Sequence, residues 1–160
     1  MTTKTENPPT ELTLTRMFDA PRDLVWKAWT DGKMMTEWWM PHGFTNSECE
    51  LDPRPGGIFK IRSDAPGYPN HRMSGVFTEV TKPEKLVFSS SAFTNESGGD
   101  PGLEVVNTIT FEDINGKTKV TVHALVTKYK PGFEPALNGM NQGWSETLEK
   151  LAAFLTKSKR

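Results

Sequence analysis

Three histidines, His42, His71 and His123, and one cysteine, Cys49, are the side chains of this sequence best suited to move protons, attack a carbonyl or ligate a metal. Each of those chemistries asks for company. A nucleophile needs a base in reach, acid–base hydrolysis needs paired groups, and a metal needs ligands at recurring spacing. The histidines stand far apart, and no HExxH, GxSxG, phosphate-loop or CxxC pattern accompanies them. His42, in a loop after a tryptophan pair, is the histidine to test for a functional role, although its loop position first describes an exposed side chain. His71 follows a turn and His123 interrupts a strand pattern, which suits surface placement for both. Cys49 has no basic cluster beside it in sequence and reads as a small packed residue rather than a reactive thiolate. Arg54, Arg62 and Arg72 flank two strand patterns and have the chemistry to hold a carboxylate, yet arginines at alternate positions describe an ordinary solvated strand face. On its own residues the chain names no catalytic group, no metal site and no cofactor.

Composition narrows the field further. Lys plus Arg number 19 against 20 Asp plus Glu, so no summed positive field would hold a phosphate backbone, and nucleic acid is not expected as a partner. A single cysteine builds no intrachain disulfide, and no stretch approaches the ~20 apolar residues of a membrane span. These features, with a polar start in place of a signal peptide, predict a cytoplasmic protein. Five tryptophans, nine phenylalanines and seven methionines are a generous apolar supply for 160 residues. A domain of this length buries roughly 70% of its unfolded surface.

The elements that position these residues follow from periodicity. Residues 1–10 read as a disordered leader, and 11–160 as one domain. Alternation from Glu11 to Phe18 predicts a first strand. Asp19-Ala20-Pro21 combines a capping residue with a proline and opens a helix to about Thr30, closed by Asp31-Gly32. A second short helix, Lys33 to Trp38, ends at Pro41. Then come strands over Phe44–Leu51, Ile58–Ser63, Arg72–Thr81, Leu86–Ala92, Leu103–Phe111 and Lys117–Thr127, separated by Gly-, Pro- and Asn-rich turns such as Asn115-Gly116. Met140, Trp144, Leu148, Leu151 and Leu155 recur at helical spacing and predict an amphipathic C-terminal helix. The order is β-αα-β6-α, with about seven strands in an α+β fold whose helices pack on one face of an antiparallel sheet.

That order resembles the helix-grip fold of the START-like superfamily, which includes the major birch-pollen allergen, steroid and lipid-transfer domains and polyketide cyclases. More closely, the sequence resembles the branch named after the activator of the ninety-kilodalton heat-shock protein ATPase. The resemblance rests on Phe18-Asp19-Ala20-Pro21 with Val25-Trp26-Lys27-Ala28-Trp29, Glu37-Trp38-Trp39-Met40-Pro41, Pro55-Gly56-Gly57, Gly75-Val76-Phe77-Thr78-Glu79-Val80, and Gly143-Trp144 ahead of Leu148-Glu149-Lys150-Leu151. It implies a curved sheet gripping the long C-terminal helix around a cavity. Met40-Pro41-His42-Gly43 departs from the branch, where a glycine before the proline is common, and a bulky Met40 would narrow or reshape the entrance.

With that geometry, Trp38, Met40, Phe59, Met73, Phe77, Phe88, Met140 and Trp144 become candidates to line a ligand pocket. His42, Glu79 and Thr108 become its candidate polar groups. Val25, Leu148, Leu151 and Leu155 read as plain core. Gly139 and Gly143 fall in the first turns of the last helix as a pliable entrance or a close-packing device, and the loop around Gly98 and Gly99 reads as a mobile turn or a lid. The leading functional expectation is non-catalytic binding of a small apolar or amphipathic molecule. A chaperone-associated interaction domain and a cyclase- or hydrolase-like enzyme are the alternatives. An open sheet edge or the Trp38-Trp39 pair offers a homodimer contact.

Overall fold

A computed structural model gives the fold over residues 10–66, 68–92 and 102–158. The elements run β1 (Glu11–Phe18), α1 (Arg22–Thr30), α2 (Gly32–Met35), β2 (Thr45–Leu51), β3 (Ile58–Ala65), β4 (Tyr68–Thr81), β5 (Lys85–Ala92), β6 (Leu103–Ile114), β7 (Lys117–Tyr129), α3 (Glu134–Asn138) and α4 (Met140–Ser158). The expected order is found, with α3 as an addition. Residues 1–9 of the expected leader and the Gly98-Gly99 pair lie outside the described residues. Thr10, assigned to that leader, accepts a hydrogen bond from the Val126 amide at 2.7 Å.

Local chemistry explains the helix ends, with one correction. α1 begins with Pro21 at the N-cap position, so Asp19, expected as the capping residue, stands two residues before the cap. A buried hydroxyl fastens this corner, Thr118 Oγ1 donating to Ala20 O at 2.7 Å. Asp31 serves two helices at once. Its amide donates to Lys27 O at the end of α1, and its carboxylate accepts from the Lys33 and Met34 amides at 2.9 and 3.3 Å to start α2.

All seven strands pair antiparallel in one sheet of order β1-β7-β6-β5-β4-β3-β2, curled into a half-barrel with β1 and β2 as its edges. Burial alternates with period two. Leu103, Val105, Asn107, Ile109 and Phe111 of β6, and Thr118, Val120, Val122, Ala124 and Val126 of β7, turn inward. Register shifts within the β2–β3, β3–β4, β4–β5 and β6–β7 pairs add local twist and help the sheet curl. Gly75 is required where β4 meets β5, because a Cβ there would lie 1.7 Å from Ser89 O.

Leu148, Leu151 and Leu155 of α4 are buried against the inner face together with Val25, Trp26 and Trp29 of α1. Aromatic rings fill most of this core at edge-to-face or offset geometry: Trp29–Trp38 at 4.8 Å, Trp39–Phe59 at 5.6 Å and Phe59–Phe88 at 4.5 Å between centroids. A second, smaller cluster of Leu103, Val105, Ala124, Val126 and Leu137 lies towards α3.

Candidate ligand cavity

Between the N-terminal half of α4 and strands β4 to β6 the side chains stop short of filling the space. A cavity of about 650 Å3, open to solvent, remains there. Met73, Ser90, Leu103, Val105 and Asn107 form its sheet wall, and Gly139, Met140, Gly143, Trp144 and Thr147 its helical wall. Phe133, Pro135 and Ala136 close the third side, and Trp39, Met40, Pro41 and Phe44 form the mouth. One helix cannot cover the full width of a curled sheet, and glycine at 143 leaves no side chain where α4 borders the gap, while Gly139 caps α3 just before α4 begins. The volume lies within the ~300–1,000 Å3 typical of small-molecule sites.

The described lining holds no Asp, Glu, Lys, Arg or His. Its polar side chains are Ser90, Asn107 and Thr147. Thr147 Oγ1 is turned back on its own helix and donates to Gly143 O at 2.9 Å. Asn107 Nδ2 donates to Phe88 O at 3.3 Å and to Ser90 Oγ at 3.0 Å, which ties β6 to β5 at the cavity wall.

The mouth loop is pinned from two sides. Lys150 Nζ, on α4, donates to Met40 O at 3.1 Å, Trp39 O at 3.4 Å and Phe44 O at 3.5 Å. Burial lowers the pKa of this ammonium below its usual value. From the sheet side, Asn46 Nδ2 donates to Trp39 O at 2.8 Å and Thr36 O at 3.1 Å, and Ser63 Oγ donates to Asn46 Oδ1 at 2.7 Å. Between these anchors Met40 adopts φ 75°, a left-handed conformation that favours glycine. A glycine would hold this conformation without the strain that a Cβ brings.

Comparison with known proteins places this architecture. The model of the family described as activator of Hsp90 ATPase homolog 1-like protein matches residues 19–156. The chain belongs to that family. Solved structures similar to this member of the Hsp90 ATPase activator-like family include a protein from Nitrosomonas europaea, 26% identical with a TM-score of 0.76, the match covering 94% of this chain and 96% of that one. A protein from Arthrobacter aurescens is 23% identical with a TM-score of 0.80, covering 92% and 87%. The AHSA1 protein from Silicibacter pomeroyi is 21% identical with a TM-score of 0.76, covering 92% and 99%. No curated protein matches.

In this activator-like domain the structure sorts the expected pocket residues by depth. Met40, Met73, Met140 and Trp144 line the cavity. Trp38, Phe59, Phe77 and Phe88 are not among the lining residues; each is at most 1% exposed in the aromatic core beneath. Trp38 is held there by its indole N–H, which donates to Ala28 O at 3.1 Å, and its neighbour Trp39 reaches the cavity instead. Phe59, Phe77 and Phe88 do face inward, but the gap opens further along the strands, beside Ser90 and Val105.

The expected polar groups all lie outside. His42 Nε2 sits 3.3 Å from Glu149 Oε1 on the exposed side of α4. Thr108 lies between the inward-facing Asn107 and Ile109 and so takes the outer face, opposite His123 in the ladder. Glu79 shares parity with Phe77, but a register shift between them reverses the alternation. Val80 continues the inner face, and Glu79 is left half-exposed, 3.6 Å from Lys85 Nζ. His123 Nε2 contacts Glu11 Oε2 at 2.6 Å across the outer face, and His71 is on β4 opposite Ser63. Arg54, Arg62 and Arg72 do not line the cavity, and Arg62 and Arg72 pair with each other in the ladder.

The α3 side of the site had no counterpart in the sequence reading. Phe133-Glu134-Pro135 held a usable signal, because proline in a first helical turn marks a helix start. The Trp38-Trp39 dimer contact is also corrected. Both rings are at least nine-tenths buried and present no surface to a second copy.

Proposed function

We propose that this protein binds a small apolar or amphipathic molecule in the cavity between sheet and C-terminal helix, without transforming it. The observation that carries this reading is an open cavity of about 650 Å3 walled by aromatic, methionine and aliphatic side chains. A ligand burying about 300 Å2 of apolar surface there gains roughly 7 kcal/mol before the costs of association. Acid–base catalysis needs a titratable pair within the site, and the described lining offers none. Gentle purification followed by native mass spectrometry, with fatty acids and small aromatics as a challenge panel, tests the reading. A retained or added mass with a matching thermal shift supports it; an empty protein unmoved by every compound overturns it.

The family match supports a second reading, a regulatory domain acting on a chaperone ATPase. Its test is direct: a pull-down of the cognate ninety-kilodalton chaperone and its ATPase rate with and without this domain. No capture and an unchanged rate would remove it. Among the described residues no helix is long and apolar enough to cross a membrane, and the lone cysteine is free. Our reading places the protein in the cytoplasm. A homodimer, if formed, would use the β1 or β2 edge.

A further inference from the structure

Asn107 is 3% exposed and stands on the cavity wall with its hydrogen-bonding capacity half used. A neutral side-chain amide carries two donors on nitrogen and an accepting oxygen. Both donors are engaged, one by Phe88 O and one by Ser90 Oγ. Phe88 O only accepts and would repel an amide oxygen, so the orientation of the amide is fixed by its neighbour. Oδ1 takes no hydrogen bond among the described residues, and it is not sealed by packing in the way Trp29 Nε1 and Trp39 Nε1 are. Its remaining surface belongs to the cavity that Asn107 lines.

Ser90, 7% exposed and also on the wall, is the complement. Its oxygen accepts from Asn107, and its own proton has no acceptor among the described residues. One acceptor and one donor therefore stand side by side in an apolar surround, both uncharged. Both face a cavity open to solvent, where a ligand that replaces water must offer a donor to one and an acceptor to the other or lose affinity.

We infer that the ligand is an uncharged molecule with a hydroxyl head, an alcohol or a phenol, whose O–H donates to Asn107 Oδ1 and whose oxygen accepts from Ser90 Oγ. The inference rests on the cavity being a ligand site, and it specifies the polar end of the ligand. A carboxylate would accept from Ser90 but meet Oδ1 as a second bare acceptor. It would also lose its hydration with no cation on the described lining to replace it. Lys150 does not fill that need, since its three N–H groups have three backbone carbonyls of the mouth loop as partners. An ether satisfies Ser90 alone and leaves Asn107 unpaired, which a site built around a hydroxyl rejects.

Three compounds with one tail and different heads, 4-octylphenol, 4-octylanisole and 4-octylbenzoate, separate these cases by calorimetric titration of the full chain at neutral pH. The phenol is expected to bind about tenfold tighter than either of the others. Asn107→Leu is expected to bring the phenol down to the level of the anisole while leaving the anisole, which makes no bond to Asn107, within about twofold; Ser90→Ala is expected to weaken phenol and anisole alike, since both accept from Ser90 Oγ, with the phenol still ahead through Asn107 Oδ1. If one variant fails to fold, the other and the wild-type series still decide. Equal binding of all three, or tightest binding of the benzoate, overturns the hydroxyl assignment and leaves the cavity a ligand site. Binding of none overturns both.

Discussion

Met40 shows how much a single residue sets at the mouth. Its φ of 75° is costly for any side chain with a Cβ and worst for a β-branched one, where crowding against the backbone is greatest. Met40→Gly should therefore fold at least about 1 kcal/mol more stably than Met40→Ile, read from urea midpoints. Equal midpoints would mean that the loop changes conformation to suit its side chain. Cys49 tests burial by reactivity. Desolvation, with Glu48 adding repulsion, pushes its thiol up to about 12 from 9.0, so native alkylation at pH 8 should run roughly a thousandfold slower than in urea. Lys150 tests it by pH. Burial lowers its ammonium pKa from the usual 10.5, so the unfolded chain holds that proton more tightly. Stability from this group then rises with pH through the window between the lowered value and 10.5. Against Lys150→Met, the wild type should gain in relative urea midpoint as pH climbs through that window; a falling difference would contradict the sign. The reading of Cys49 as a packed residue was available from its strand and its neighbours. Nothing in the sequence marked Lys150 as the tether of a loop more than a hundred residues earlier.

Two glycines in different elements call for opposite outcomes. Gly75→Ala should destabilise by about 2–3 kcal/mol, because the new methyl drives β4 into the Ser89 carbonyl of β5. At Gly143 the same change brings Cβ only to 3.5 Å from Pro41 Cγ and improves helix propensity, so Gly143→Ala should stabilise by about 1 kcal/mol while narrowing the cavity. Chemical denaturation of both variants checks the pair, and a destabilised Gly143→Ala would show that the α4 entrance depends on having no side chain there. Strands and long helices were legible because their burial repeats with a fixed period, as β6 and α4 show. What defeated the period was local. The register shift between Phe77 and Glu79 turned Glu79 outward, and Thr108 was out of phase by one residue. Side-chain depth was equally hidden, since alternation tells which face Phe88 occupies but not whether the space above it is filled.

At the scale of the molecule the fold and family could be read from ordered segments such as Phe18-Asp19-Ala20-Pro21 and Gly143-Trp144, because a helix-grip domain spreads its constraints along the whole chain. The cavity could not be placed, because it is the difference between the span of the sheet and the coverage of α4, a quantity no single segment carries. A ligand that binds only the folded state at a hundred times its Kd should add about 2.7 kcal/mol of stability. For a domain of this size that is a rise in Tm of about 5–10 °C, which differential scanning fluorimetry with an external dye would detect. A tight binder by calorimetry that left Tm unmoved would have to bind the unfolded chain as well. The tryptophans carry a last consequence. Trp29, Trp38, Trp39 and Trp144 stand ring to ring, with centroid separations between 4.8 and 6.2 Å, and the last two border the cavity. Over such spacings an excited indole hands its energy to a neighbour well before it emits, so the four act as one antenna. Whatever quenches Trp39 or Trp144 dims the whole set, and the ultraviolet glow of the domain becomes an intrinsic gauge of whether the cavity is full.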